Sequence, residues 1–236
     1  MISAHLRIGA LLFEGIDQID LTGPFEVLSR LPDSEYSIYA KTASPVRDLN
    51  GLKLTADATL AEAPQLDVLH VPGGPGQEAL MDDSEVLGWL SEQVAGGSRV
   101  FSVSTGALLL GAAGLLRGRH ATTHWASLDL LPYFGASPVD ERVVTDGNMI
   151  FTAGVTAGID GALRLAAELR GNAAAEAIQL AIAYAPEPPF TSGRPDTAPP
   201  AVLEAAERSV AALTARRKET ARRIAQRLGV TVVDDA

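Results

Sequence analysis

A serine at the junction of an apolar strand and a small-residue helix is the group in this sequence best placed to do chemistry. The apolar run that begins at Val100 ends at Ser104, and Thr105 and Gly106 then open a helical pattern rich in Ala, Leu and Gly. This strand–turn–helix outline is typical of a nucleophile elbow. In an elbow the turn pushes its side chain into a pocket, where it faces the free N–H groups of the new helix. The pattern predicts a nucleophile position at Ser104.

Two further features follow predicted strand ends. Asp20 stands in the loop after the first strand, and the glycine loop 72–76 follows the third strand. The amides of Gly73 and Gly74, with that of Thr105, could form an oxyanion hole, while the carboxyl of Asp20 could relay protons. Taken singly, an Asp before a helix is more often a cap and a Gly-Gly pair is more often a turn. Their occurrence at successive strand ends, beside Ser104, favours a site.

The histidines carry a weaker signal. His124 follows a strand end and could reach a ligand at the elbow or hydrogen-bond Ser104, although no orienting carboxylate for a Ser–His–Asp triad is identified. His70 lies inside a strand, where neighbours are expected to satisfy its nitrogens. His120 and His124 do not share a helix and no carboxylate lies between them, so no metal site is predicted. Ser102 stands where an ordinary α/β-hydrolase has glycine.

The elements that must position these groups alternate between strands and helices. This pattern predicts an α/β domain with a mostly parallel sheet, in which ligands bind at the carboxyl ends of the strands. A helix is predicted to start with Thr22 as its cap and Pro24 in its first turn. Asn50-Gly51 predicts a hairpin turn. Strands are predicted over 8–13, 36–40, 67–71, 99–103 and 121–123, a second hairpin over 142–152, and helices over 84–95, 108–116, 124–131, 159–170, 173–184 and 201–228.

Composition limits the classes of function. The chain has 236 residues and no cysteine, which excludes disulfides. Its net charge of -10 argues against nucleic acid or an anionic membrane as main partners. The residues before the first strand are too few and too polar for a signal peptide, and the longest uncharged run, 100–116, falls short of a bilayer span. We therefore expect a cytoplasmic protein.

The end of the chain is predicted to form an arm and a basic helix. Pro, Gly, Ser and Thr are frequent over 186–200, and an Ala/Arg/Glu-rich helical pattern follows. Its basic residues could form a nucleic-acid patch or a solvated helix face balanced by the acidic remainder. We favour the solvated face, since the 36 residues after Pro200 are too few for a duplicated helix-turn-helix module. These basic residues are Arg216, Arg217, Lys218, Arg222, Arg223 and Arg227.

Seven segments together carry a family resemblance: DLTGP at 20–24, VPGG at 71–74, SVSTG at 102–106, GAAGLL at 111–116, ATTHW at 121–125, ERVV at 141–144 and TAGID at 156–160. On these segments the chain resembles the PfpI-like branch of the class I glutamine amidotransferase-like superfamily, and within it the isocyanide hydratases. The resemblance runs through nearly the whole chain. It includes YAPEPPF at 184–190 and PDTAP at 195–199, which the wider superfamily does not generally share.

The resemblance implies a flavodoxin-like sandwich, with helices on both faces of the sheet. It also implies a homodimer, no metal or organic cofactor, and hydration of an isocyanide to an N-formamide by covalent nucleophilic catalysis. The family's nucleophile corresponds to Ser104, its acid/base carboxyl to Asp20, its following threonine to Thr105, and its glycine-loop amides to Gly73 and Gly74. The superfamily domain is expected over 1–190, with 191–236 forming an arm and helix packed on it.

One residue departs from this pattern, because the family has cysteine where this chain has Ser104. A hydroxyl has a far higher pKa than a thiol and needs a well-placed base, so activity lower by at least roughly 10³-fold is expected. The serine is either an engineered replacement or that of a natural paralogue, and the otherwise intact motifs favour the former. The alternatives are a non-catalytic small-molecule sensor, related to the ligand domains of some transcription regulators, and another superfamily activity on amides or reactive aldehydes. Asp20, in place of a longer glutamate, argues against the last.

Overall fold

The structure, a computed structural model, describes residues 5–232. Its strands within that range are β1 (Leu6–Leu11), β2 (Ser34–Ala40), β3 (Val46–Arg47), β4 (Lys53–Leu54), β5 (Ala58–Thr59), β6 (Val68–Val71), β7 (Arg99–Val103), β8 (His120–Ala121), β9 (Ser137–Pro138), β10 (Val143–Asp146) and β11 (Met149–Thr152). The helices are α1 (Gln18–Leu28), α2 (Gln77–Leu80), α3 (Ser84–Ala95), α4 (Gly106–Ala112), α5 (Ala157–Arg170), α6 (Asn172–Ala181) and α7 (Pro200–Leu228). Two 3-10 helices cover Leu60–Glu62 and Trp125–Phe134.

A mostly parallel sheet forms the centre of the fold, as predicted. Within the described residues its strand order is β10-β11-β7-β6-β1-β2-β5, and the antiparallel pair is β10 with β11. The predicted Asn50-Gly51 turn joins β3 and β4, which pair antiparallel, and Gly51 adopts a φ of +94°. The architecture is flavodoxin-like.

Helices cover both faces of the sheet because successive side chains of its buried strands point to opposite sides. In β7, Val100 joins one hydrophobic cluster and Phe101 joins the other. The Phe101 cluster includes side chains of α1, α5 and α6, whereas the Val100 cluster includes side chains of α3, α4, the 125–134 helix and α7. The two cores hold the strand ends in fixed positions, on which the site depends.

Helix α1 starts earlier than predicted. Its N-cap is Asp17, whose carboxylate accepts from the Ile19 amide (3.4 Å), so Thr22 and Pro24 lie inside the helix rather than at its start. The Thr22 hydroxyl donates to the Gln18 side chain instead (2.8 Å). Asp20 is therefore in the first turn of α1 rather than in a loop, and it is not the cap.

Two helical boundaries on the α4 side also differ from the prediction. The helix expected over 108–116 covers Gly106–Ala112 and is followed by Gly114 at a φ of +78°, a conformation that ends a helix. The helix expected over 124–131 is a 3-10 helix that includes Pro132 and ends at the left-handed Gly135. Over 5–232 the helices are each too short or too polar to cross a bilayer.

Candidate functional site

The site lies where the connections of the sheet change direction. From β1 the chain moves to β2 on one side, whereas β6 and β7 lie on the other, so a crevice opens at the carboxyl ends of β1 and β6. Asp20 follows β1, the glycine loop follows β6 and Ser104 follows β7. The topology thus brings together the three features that were predicted at strand ends.

Ser104 has the strained backbone of an elbow. Its φ is +53°, a left-handed value that costs a residue other than glycine about 1–3 kcal/mol. Three hydrogen bonds hold this conformation: the Ser104 amide donates to the Thr152 carbonyl (2.9 Å), and the Ser104 carbonyl accepts from the Thr123 hydroxyl (2.7 Å) and the Ala107 amide (3.4 Å). The side chain is buried but lines a cavity. Thr123 and Thr152 were not predicted as site residues.

The glycine loop packs backbone to backbone against the elbow. A Cβ on Gly73 would lie 2.6 Å from the Thr105 amide nitrogen, and one on Gly106 would lie 2.0 Å from the Val71 carbonyl oxygen. The Gly73 amide donates to Asp20 Oδ2 (3.0 Å), and the Gly74 amide donates to Thr105 Oγ1 (3.1 Å). Both amides thus have protein acceptors, and their role as oxyanion donors stays a prediction. The Thr105 amide has no acceptor among residues 5–232.

Replacing Gly74 by alanine is expected to destabilise the fold by at least about 2 kcal/mol. Gly74 has a φ of +134°, and a Cβ there would lie 2.2 Å from the Asp17 backbone nitrogen. Urea denaturation measures the change. The matched control is Gly88→Ala inside α3, where a Cβ meets nothing within 4 Å and a gain of about 0.5–1 kcal/mol is expected. Equal stability of Gly74→Ala and the parent would contradict the clash.

Asp20 is a buried carboxyl with one oxygen free. Its side chain is fully buried, Oδ2 accepts from Gly73, and Oδ1 has no hydrogen-bond partner among the described residues. Burial, and then the charge of Asp17, raise its pKa well above the usual range, while the Gly73 amide and the Ser104 hydroxyl lower it by less. Oδ1 nevertheless accepts no hydrogen bond from that hydroxyl in the structure. The environment thus favours the neutral acid, which can donate a proton.

A proline inside α1 orients this acid through the backbone. Pro24 has no N–H to give to the Asp20 carbonyl one turn earlier, so that carbonyl remains free. It accepts from His70 Nε2 (3.1 Å), and His70 Nδ1 in turn accepts from the Tyr36 hydroxyl (2.5 Å). His70 is fully buried, and burial lowers its pKa to about 3. The prediction that neighbours satisfy both nitrogens of His70 is confirmed.

Acid should destabilise the protein through His70. In the unfolded chain the His70 imidazole takes up a proton near pH 6.5. In the folded chain it does so only near its lowered pKa of about 3. The unfolded state therefore binds more protons between these values, and stability is lost as the pH falls, by up to about 1.4 kcal/mol per pH unit. Urea denaturation across this range measures the slope. A His70→Gln variant cannot titrate, so its slope should be shallower, and an unchanged slope would contradict the assignment.

His124 caps the 125–134 helix at the mouth of the site. Its Nδ1 accepts from the Ala126 amide (3.3 Å), and its ring lines the cavity over Ser104. Burial, and then the charge of Arg217, lower its pKa to about 4. His124 and Ser104 make no hydrogen bond within the described chain, so the structure provides no Ser–His pair. A neutral His124 can still contact a ligand.

Arg217 of α7 lines the cavity at the elbow, contrary to the prediction from sequence. The solvated basic face predicted for this helix does not include Arg217, which is 5% exposed. Its guanidinium donates to the Gly74 carbonyl (2.9 Å), the Thr105 hydroxyl (3.3 Å) and the Gln77 side chain (3.1 Å). A usable signal existed, since residue 217 shares the helical spacing of Val210, Leu213, Ala221 and Ile224.

A cavity of about 170 Å³ lies at the elbow and is closed on one side by α7. Its polar lining includes Asp17, Ser104, Thr105 and Arg217, and its apolar lining includes Leu49, Pro75, Val155, Val210 and Leu213. A second cavity of about 240 Å³ shares His124 and Val155 with it. A small ligand with one reactive polar end and one apolar group fits such a lining.

Fold and site together define a class of protein: a flavodoxin-like α/β protein with a strained strand–turn–helix elbow at the carboxyl edge of its sheet, beside a buried carboxyl group. Comparison with known proteins makes the class specific. The chain belongs to the DJ-1/PfpI family, whose family model matches residues 6–168.

Relatives extend the similarity beyond that region. The chain is 49% identical to isonitrile hydratase of Pseudomonas putida, isonitrile being another word for isocyanide, over 95% of this chain and 99% of that protein. The crystal structure of a ThiJ/PfpI family protein from Pseudomonas syringae superposes with a TM-score of 0.90 at 40% identity, covering 93% of this chain and 91% of that one. An HTH-type transcriptional regulator of Pseudomonas aeruginosa is 33% identical over 63% of this chain and 45% of its own length. The resemblance to isocyanide hydratases is confirmed.

Proposed function

We propose that this chain is an isocyanide hydratase whose nucleophile position holds serine, so that it binds an isocyanide but turns it over at a strongly reduced rate. The observation that carries the proposal is the elbow: Ser104 at a φ of +53°, beside a fully buried Asp20 with a raised pKa. The 49% identity to the hydratase over nearly the whole of both chains supports it.

The proposed reaction begins with covalent addition when cysteine stands at position 104. The thiolate sulfur attacks the terminal carbon of R–N≡C, and Asp20 donates its proton to that carbon, which leaves an enzyme-bound thioimidate. Asp20 suits this step because its neutral form is favoured. Its Oδ2 is fixed by Gly73 and its backbone carbonyl by His70.

Water completes the proposed reaction. Its oxygen bonds to the thioimidate carbon, its protons go to the nitrogen and to Asp20, and the carbon–sulfur bond then breaks to release R–NH–CHO and the thiolate. The Thr105 amide, which has no acceptor among residues 5–232, can donate to the incoming oxygen. Arg217 and Gly74 hold Thr105 through its hydroxyl.

Serine weakens the first step for two reasons. Its hydroxyl is not ionised near neutral pH, so it needs a base to take its proton. Asp20 in its favoured neutral form cannot accept that proton, and His124 makes no hydrogen bond to Ser104. We therefore propose that the pocket and the acid are complete while the nucleophile is deficient.

The test is formamide production by a Ser104→Cys variant supplied with a simple aromatic isocyanide. Turnover well above that of the serine form supports the proposal. A folded cysteine variant with no turnover contradicts it.

A second candidate is a small-molecule sensor of the same fold, favoured by the similarity to an HTH-type transcriptional regulator. This function requires ligand binding but no reaction. If the Ser104→Cys variant stays inert while a small ligand raises the melting temperature of the parent, the sensor is the better assignment.

The homodimer and the cytoplasmic location are also part of the proposal. Both rest on the family resemblance and on composition. Light scattering on the purified protein tests the first, and fractionation of the source cells tests the second.

A further inference from the structure

The guanidinium of Arg217 is a buried cation whose partners are all neutral. Its acceptors are a side-chain amide oxygen, a backbone carbonyl and a hydroxyl, belonging to Gln77, Gly74 and Thr105. No carboxylate pairs with it among residues 5–232. The acidic residue whose charge acts on the pKa of Arg217 is Glu78, and its carboxylate accepts from the Thr220 hydroxyl (2.9 Å).

A buried charge without a counter-ion is costly, and a long apolar side chain would fill the same space without that cost. Nη1 of Arg217 has no partner within the described chain, and the residue lines the cavity over Ser104. The side chain that carries this charge thus lines the same cavity as Ser104.

The other titratable groups around the elbow do not supply this charge. Asp20 and Asp17 come from α1 and its cap, and they are neutral or negative. His124 comes from the 125–134 helix, and its pKa of about 4 leaves it uncharged near neutral pH. Among the described residues that line the cavity, Arg217 is the one cation.

We propose that Arg217 is a positioning residue that stabilises an anionic nucleophile at position 104 by its charge, acting across the Thr105 and Gly74 network that it holds. The inference rests on the proposed function, because it is the hydratase reaction that requires a thiolate at position 104. The inference gives α7 a role in the reaction, although this helix lies outside residues 6–168, which the family model matches.

The experiment titrates the thiol of the Ser104→Cys variant by its thiolate absorbance and needs no isocyanide, so it can fail or succeed independently of hydratase activity. Adding Arg217→Gln should raise the thiol pKa by about one unit or more, which is at least tenfold less thiolate at a pH below both values. Arg217→Lys keeps the positive charge, so the thiol pKa should stay nearly as low as it is with arginine. The matched control is Arg216→Gln, at the exposed neighbour on the same helix, and it should leave the thiol pKa nearly unchanged.

Three results would overturn the proposal. The first is an unchanged thiol pKa in a folded Arg217→Gln variant. The second is an equal rise in Arg217→Lys and Arg217→Gln, which would assign the effect to hydrogen bonding rather than charge. The third is an equal rise in the Arg216→Gln control. If Arg217→Gln does not fold, Arg217→Met, which fills the space of the arginine stem, takes its place under the same criteria.

Discussion

Replacing Ser104 by cysteine is expected to raise the rate of formamide production from an aromatic isocyanide by at least about 10³-fold, the scale seen when an essential nucleophile is restored. A thiol ionises near pH 8.5 even before the elbow lowers its pKa, whereas a hydroxyl stays protonated. The hydrogen bonds that hold the elbow use backbone atoms of residue 104, so the exchange of oxygen for sulfur should leave its conformation intact. Chromatography of the formamide measures the rate.

The matched control is Ser102→Cys, two residues earlier in β7. Ser102 is also buried, and its hydroxyl has no partner among the described residues. Unlike residue 104, it does not line the cavity. It should show no gain, because a thiol inside the strand cannot reach a ligand. Equal activity of both variants would mean that the elbow is not the reacting centre, and a panel of amides and reactive aldehydes would then test the remaining activities.

In the Ser104→Cys background, Asp20→Asn is expected to lower the turnover by about 10²–10⁴-fold, the range for loss of a positioned acid. An amide can accept from Gly73 as the carboxyl does, but it cannot donate a proton to the isocyanide carbon. Steady-state kinetics should show the loss in kcat. Little or no loss would contradict the assignment of Asp20 as the acid.

The same substitution should make the folded protein more stable at neutral pH. Burial raises the pKa of Asp20, so the folded chain holds this proton to a higher pH than the unfolded chain does. Stability is therefore lost as the pH rises from about 3.9 towards the folded pKa. Asparagine removes this loss, and each kcal/mol recovered corresponds to about 2–4 °C in Tm. The difference in Tm should vanish at low pH. A lower Tm for Asp20→Asn at neutral pH would indicate an ionised, stabilised carboxylate instead.

The parts of the site that could be predicted are those encoded locally. The elbow at Ser104 and the glycine loop are short patterns whose backbone geometry depends on adjacent residues. Asp20 was predicted as a site residue but placed before its helix, because Asp17 and Thr22 are both capable caps and Pro24 is usual in a first turn. Only the tertiary contact with His70 shows why a proline is tolerated further inside: the carbonyl it leaves free has another donor.

The parts that could not be predicted depend on long-range packing. Arg217 lies more than one hundred residues from Thr105, and its chemistry is set by the burial of α7 rather than by its neighbours in sequence. The basic composition of that helix suggested a uniform solvated face, yet its apolar stripe runs through residue 217. Similarly, Thr123 holds the elbow through its hydroxyl and Thr152 through its backbone carbonyl, two long-range hydrogen bonds that no short motif records.

The position of α7 in the chain has a consequence for biosynthesis. The elbow, the glycine loop and Asp20 are all synthesised before α7, and the last wall of the cavity, with its cation, docks only after residue 217 has left the ribosome. A nascent chain can thus form the sheet and the strained turn while its pocket still lies open to solvent. A cysteine at position 104 would pass through this period without the charge that we assign to Arg217, less ionised and hence less reactive towards the electrophiles of the cell. Activation of the nucleophile would then be timed by the emergence of α7 from the ribosome.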